Sequence, residues 1–213
     1  MGKRSEFQHR EADFYPTPLV AVPPLIPFLR DIRTFAEPCA GEGDLVRHLE
    51  SFGKLCVYTG DISTGQNAFD LTHCSGADAV ITNPPRSLRT KKPFDCELMH
   101  GLLEHFLIIA PSTWLLAHHD WSATEQAAPY LIHCSDIVVV SRLKWIEGTP
   151  HTGKDDHAWY RFDARHHSGP ALHNNRGHRG GVILGRSRAY LKCRQSTTVP
   201  VRLIGDSKSE VRL

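Results

Sequence analysis

No run of eighteen or more apolar residues occurs anywhere in the chain, so no helix able to span a bilayer is expected. The first residues, Met1-Gly2-Lys3-Arg4-Ser5-Glu6-Phe7, lack the apolar stretch of a secretory signal. Six cysteines (Cys39, Cys56, Cys74, Cys96, Cys134, Cys193) are present, but no two have C-x-x-C spacing. Scattered thiols of this kind suit a reducing cytoplasm better than a disulfide framework. The G-x-G-x-x-G of dinucleotide-binding turns is missing, and so is any internal repeat. Fourteen histidines raise the question of zinc, notably His118-His119-Asp120 and His166-His167 with His173 and His178. None has H-x-x-x-H spacing with an associated acid, and no cysteine pair helps, so no metal is expected. The expectation that remains is a soluble, cytoplasmic protein with one substantial core.

Net charge is only +2, but it is divided unevenly. Residues 1–141 carry 11 Lys+Arg against 17 Asp+Glu, a balance of −6; residues 142–213 carry 14 against 6, a balance of +8. A basic end on an acidic body is the pattern of a polyanion-binding surface, and equally of a solvated tail.

The hydrophobic pattern alternates between strand and helix. Residues 24–32 read as a short helix with proline near its start. A short strand over 34–36 runs into a glycine turn, and Asp44–Ser51 reads as a helix with Leu45 and Leu49 on one face. Further strands are predicted over 55–58, 77–82, 107–110 and 137–140, and a helix over 96–105. Such alternation predicts an α/β fold with a mostly parallel sheet, in which ligands bind beyond the carboxyl ends of the strands. From Ala164 onward the chain turns rich in His, Arg, Gly and Asn and reads as a loop or tail, with 182–184 and 199–204 as possible short strands. The expected division is therefore a domain over 1–163 and a basic extension over 164–213.

Motif residues fall at the predicted strand ends. In Glu37-Pro38-Cys39-Ala40-Gly41-Glu42-Gly43, the glycines permit the close approach and positive φ that a strand-to-helix turn under a bulky ligand requires. The helix that follows offers unpaired N–H groups, and an acid at Glu37 suits a cationic amino-acid ligand better than a phosphate. Asp61, eighteen residues after Gly43, can accept ribose hydroxyl protons, and Asp70 can accept from an adenine amine. Asn83-Pro84-Pro85 closes the apolar run Ala79-Val80-Ile81-Thr82. The Asn83 oxygen and the Pro84 carbonyl can together accept both protons of an exocyclic amine, shifting that nitrogen toward sp³ character. The prolines hold the carbonyl in place.

Asp13-Phe14-Tyr15-Pro16-Thr17-Pro18 resembles the N-terminal D-x-Y-x-T-P cofactor motif of DNA adenine methyltransferases. With the glycine turn, Asp61, Asp70-Leu71 and Asn83-Pro84-Pro85, it makes five motifs in the linear order of one class of those enzymes. Residues 144–148 and 157–162 further resemble small enzymes of this kind from phages and prophages. The resemblance covers roughly residues 11 to 163. It implies a class I, Rossmann-like seven-stranded methyltransferase sheet with helices on both faces, S-adenosyl-L-methionine as cofactor, and DNA as partner. On the matching positions it implies that Tyr15, Thr17, Pro18, Glu37, Pro38, Ala40, Gly41, Gly43, Asp61, Ile62, Asp70, Leu71 and Asn83 hold the cofactor. Asn83, Pro84 and Pro85 would carry the chemistry.

One position departs from the family pattern. Arg86 stands where an aromatic residue stacks on the target base. A guanidinium plane can stack in its place, or Trp114 or Trp145 could do so from another segment. Lys91 and Lys92 beside the turn read as a solvated loop or as phosphate contacts. Three functions stay open: an adenine-N6 methyltransferase acting on DNA, a methyltransferase acting on RNA guanine or a protein glutamine amide, and a non-catalytic nucleic-acid-binding module.

Overall fold

Among the described residues, seven strands order the fold. The computed structural model describes residues 15–85, 96–146 and 153–174. The strands are β1 (Thr34–Glu37), β2 (Leu55–Thr59), β3 (Ala79–Thr82), β4 (Thr113–His118), β5 (Cys134–Arg142), β6 (Asp156–Phe162) and β7 (Ala171–Asn174). They form one sheet in the order β2-β1-β3-β4-β6-β5-β7. β6 runs antiparallel to both of its neighbours, and every other pairing is parallel. This is a mixed, mostly parallel Rossmann-like α/β sheet.

Alternation along the strands sends side chains to two cores. Phe35, Ala79, Ile81, Trp114, Leu116, Val138 and Trp159 face one side. There they meet helix α1 (Asp44–Ser51) through Leu45 and Leu49, and the N-terminal segment through Ala21, Val22, Leu25 and Leu29. Ala36, Val80, Leu115, Ala117, Ala158 and Tyr160 face the other side, packed on Met99, Leu102, Leu103 and Phe106 of helix α2 (Glu97–Ile109). Helices therefore cover both faces, as burial of a parallel sheet requires. The Trp159 indole N–H donates to the Ala21 carbonyl at 2.8 Å, pinning the N-terminal segment to the sheet. Among the described residues no helix is long and apolar enough to cross a membrane.

Three local expectations are corrected. In place of the helix expected over 24–32 there is only the 3-10 turn Ile26–Phe28, because Pro24 and Pro27 lack the N–H donors of an α-helical ladder. Residues 107–109, expected in a strand, are the last turn of α2; the strand begins beyond Pro111, at Thr113. Ile108 is 83% exposed, so that apolar run was not a buried strand. Finally, residues 171–174, placed in the loop-like extension, form the seventh strand. His173 Nε2 and an Asp136 carboxylate oxygen, 2.9 Å apart, join β7 to β5. The possible strands over 182–184 and 199–204 lie outside the described residues.

Candidate active site

The parallel register brings the carboxyl ends of β1, β2, β3 and β4 to one edge. Glu37 pairs with Thr59, Thr82 with Leu115, and His118, across to the antiparallel β6, with His157. A cavity of about 360 Å³ opens at that edge. Its floor is the glycine turn, with Cys39, Ala40, Gly41 and Glu42 leading into Asp44 and Leu45 of α1.

The turn is built as its residues require. Gly41 (φ 55°) and Gly43 (φ 80°) both adopt the left-handed backbone that disfavours a Cβ, and Gly43 caps α1. The Ala40 N–H donates to the Gly60 carbonyl at 2.9 Å and the Gly60 N–H to the Glu37 carbonyl at 3.0 Å. The turn is thus tied to the end of β2 at two points. The Gly41 N–H donates to Asp61 Oδ2 at 2.8 Å. Asp61 Oδ1 accepts from the Ser63 N–H at 2.8 Å and the Ser63 hydroxyl at 2.6 Å. Partial burial opposes the charge on Asp61, but the Ser63 and Gly41 donors outweigh it and hold the carboxyl below its ordinary range.

Glu37 behaves in the opposite way. It is the last residue of β1, 1% exposed, and burial drives its carboxyl up to about 8. The Thr82 hydroxyl and the Cys39 and Asn83 amides pull it partly back, while the Asp61 charge pushes it further up. The Cys39 N–H contact measures 3.0 Å. Glu37 therefore ties the glycine turn to one buried carboxyl at the end of β1. Burial also pushes the Cys39 thiol up, away from the thiolate form.

Asn83, Pro84 and Pro85 line the cavity beside Tyr15, Pro16 and Thr17. Asn83 Nδ2 donates to the Thr17 hydroxyl oxygen at 3.1 Å, across 66 residues of sequence.

The remaining wall was only partly legible in the sequence. Trp145 follows β5, 6.2 Å from Tyr15 and 5.0 Å, edge to face, from His157. His157 is 2% exposed, and its ring stands 4.5 Å from that of His118. His118 Nδ1 approaches Asp155 Oδ2 at 3.6 Å. Gly153 allows this wall to close: a Cβ there would meet the Leu143 carbonyl at 2.8 Å and the Trp145 ring at 3.5 Å. The sequence signals for this wall were Trp145 and the 157–162 block; the involvement of His118, Lys154 and Asp155 had no signal of its own.

Of the residues expected to hold cofactor, Tyr15, Thr17, Glu37, Ala40, Gly41, Asp61, Ile62 and Asn83 line the cavity; Pro18, Pro38 and Gly43 support it from outside the lining. Asp70 and Leu71 are not among its lining residues. They end the turn Ala68–Asp70, where the Asp70 side chain is exposed and its N–H is used by the Asn67 carbonyl. Trp114, expected toward substrate, is also excluded. It is fully buried in the core, 6.3 Å from Phe28 and under the Arg161 guanidinium at 5.8 Å, because an inward β4 position faces the N-terminal segment. Arg86, Lys91 and Lys92 lie outside the described residues. Among the described residues no three His, Cys, Asp or Glu side chains gather as a metal site.

No family model matches the chain, and no curated protein does. Similar solved structures include a protein assigned as a class I S-adenosylmethionine-dependent methyltransferase from Listeria monocytogenes, at 11% identity and TM-score 0.46, over 71% of this chain and 61% of that one. The match thus spans less than two thirds of the Listeria protein. A protein assigned as an RNA methyltransferase from Pyrococcus horikoshii matches at 17% and 0.41, over 71% and 88%. A dimethyladenosine transferase from Plasmodium falciparum matches at 12% and 0.45, over 70% and 62%. These are distant likenesses, and the functional reading rests on the site.

Proposed function

We propose that the chain is an S-adenosylmethionine-dependent methyltransferase acting on an exocyclic amino group of a nucleobase, with N6 of adenine in DNA as the favoured acceptor. One observation carries the reading. Asn83, its amide nitrogen held by Thr17, stands in a single cavity with the glycine turn, Asp61 and the buried acid Glu37.

The residues present fit the cofactor. The glycine turn and the start of α1 leave room for a ligand against the backbone, and Ile62, 72% exposed at the rim, offers an apolar surface to an adenine. Glu37 awaits a cation, which a methionine ammonium supplies. Asp61 accepts three hydrogen bonds already, out of roughly four that a carboxylate can take. A ribose diol therefore engages one free position and competes with the Ser63 hydroxyl for another. When bound, S-adenosylmethionine supplies a methyl group activated by a sulfonium.

The chain's own part is positioning and electrostatics. The Asn83 oxygen and the Pro84 carbonyl accept the two amine protons, and their attraction grows as the nitrogen acquires positive charge. Trp145 offers the aromatic surface for a base taken out of its stack, in place of the residue that Arg86 replaces. The basic residues 142–213 favour a polyanion as acceptor.

Purified protein incubated with methyl-labelled cofactor and separate pools of unmethylated DNA, RNA and protein tests the proposal. Label on adenine in DNA is the expected result. Label on RNA or protein moves the acceptor, and no label on any pool refutes the reading.

A further inference from the structure

We infer that His100 and Trp121 form a pH-sensitive latch: neutral His100 holds the turn His119–Ala123 on helix α2, and a proton on His100 releases it. This latch belongs to the fold and is independent of which reaction the cavity performs.

The Trp121 indole N–H donates to His100 Nε2 at 2.9 Å. An indole can only donate, so Nε2 must offer a lone pair, and the imidazole must be neutral with its proton on Nδ1. Neither group can exchange roles with the other. The indole has nothing to accept with, and in a charged imidazole both nitrogens are donors. Turning the charged ring therefore does not restore the bond. Trp121 is only 4% exposed, so the loss of His100 leaves a buried donor unmet unless the turn opens to water.

Trp121 anchors its turn. Its ring stands edge-on to Tyr160 of β6 at 5.1 Å, and 6.3 Å from Phe162. Its carbonyl accepts from the Thr124 hydroxyl at 2.8 Å and from the Thr124 N–H at 3.0 Å. The turn begins directly after His118, a residue of the cavity wall. The Tyr160 hydroxyl lies 3.0 Å from the His118 carbonyl and 3.2 Å from that of His119. The acid-sensitive contact thus adjoins the candidate site.

The surroundings of His100 set the direction of the response. Glu97 and Glu104 share its helix, His119 and Asp120 flank Trp121 on the turn, and Tyr130 on α3 (Ala128–Leu131) lays its ring 4.6 Å from the imidazole. Burial holds His100 below the ordinary imidazole range, and the Glu104 charge opposes it. Burial and Glu104 also push the Tyr130 phenol up to about 12, so it stays uncharged, and its hydroxyl donates to Glu104 Oε1 at 2.7 Å. Glu104, one helical turn beyond His100, attracts the imidazole once it is charged and so favours the released state. A base held neutral binds fewer protons latched than released. Release is therefore favoured as pH falls, by up to about tenfold per pH unit below the ordinary midpoint of ~6.5.

An NMR titration of the full chain between about pH 8 and 5 tests the latch, with the His100 ring C–H and the Trp121 indole N–H as probes. Both resonances are expected to move through one midpoint below ~6.5. In His100→Gln, whose side-chain oxygen accepts at any pH in this range, the Trp121 resonance is expected to stay fixed. Trp121→Phe keeps an apolar ring but removes the donor. There the His100 midpoint is expected to rise by about half a unit to one unit, since protonation no longer costs a hydrogen bond. Should the phenylalanine variant fail to fold, His100→Gln decides alone. A Trp121 resonance that ignores the titration of His100, or that titrates equally in His100→Gln, overturns the inference. So does a His100 midpoint unmoved in Trp121→Phe, or a wild-type protein that unfolds before His100 titrates, because no latch then opens within the folded state.

Discussion

Replacing Glu37 with glutamine separates what this residue does for the fold from what it does for a ligand. The carboxyl is almost wholly buried and its proton is held up to about 8, against an ordinary 4.5. Between those two values the folded protein keeps a proton that the unfolded chain has lost. Stability therefore falls as pH rises through that window, and the loss is complete above the folded value. The interval corresponds to on the order of 5 kcal/mol at full extent. Glutamine does not titrate there. The stability of Glu37→Gln minus that of wild type should accordingly rise by up to ~1.4 kcal/mol per pH unit between about pH 5 and 8. A constant offset from the changed contacts to Cys39 and Thr82 leaves that slope untouched. Urea unfolding of both proteins at four pH values across the window measures it. A ligand ammonium beside Glu37 should ionise it, so wild type should release up to one proton on binding S-adenosylmethionine near neutral pH. Calorimetry in buffers of different ionisation enthalpy detects that release, and Glu37→Gln should show none while binding more weakly. A pH-independent stability difference, together with buffer-independent heats in wild type, would refute the reasoning.

Asp61→Asn should weaken cofactor binding by roughly 10- to 100-fold, since charged hydrogen bonds contribute ~1.5–3 kcal/mol each; unchanged affinity by calorimetry would remove Asp61 from the ligand. Trp145→Ala should raise the KM for nucleic acid with little change in cofactor affinity, because base–aromatic stacking contributes ~1–3 kcal/mol; equal effects on both would make it a structural residue. If the basic extension binds phosphates, deleting residues 175–213, which leaves β7 intact, should flatten the log–log salt dependence of DNA binding by about 0.9 for each phosphate it had neutralised. An unchanged slope in a salt titration would return that segment to the status of a solvated tail.

The parts of this molecule that depend on neighbouring residues were legible in the sequence. Helix α1 was readable to its ends because Gly43 marks its start and Leu45 and Leu49 mark its face. The strands before Glu37, Asp61 and Asn83 were readable because short apolar runs end at turn residues. Parts that depend on distant residues were not. Residues 107–109 have the composition of a strand, yet they continue a helical face that only α2 reveals. β7 has two exposed apolar or small residues and a histidine, and becomes a strand only because β5 offers it an edge and Asp136 a partner. In the site, motif spacing located Glu37, Asp61 and Asn83 among the residues that line the cavity, whereas Asp70 is not one of them. The hydrogen bond between Thr17 and Asn83 was beyond reach for the same reason: two residues known separately, 66 apart, meet only through the fold.

Single-turnover methyl transfer by Asn83→Ala tests the central claim most directly. Asn83 is assigned an interaction that strengthens as the acceptor nitrogen becomes positive, and only such interactions accelerate chemistry. The rate should therefore fall by roughly 100-fold or more, as when a preorganised hydrogen-bonding group aimed at the transition state is removed, while S-adenosylmethionine affinity changes little. Asn83→Asp should keep part of the activity, since it preserves an acceptor. Wild-type rates in Asn83→Ala would contradict the account, whatever acceptor the protein is found to use.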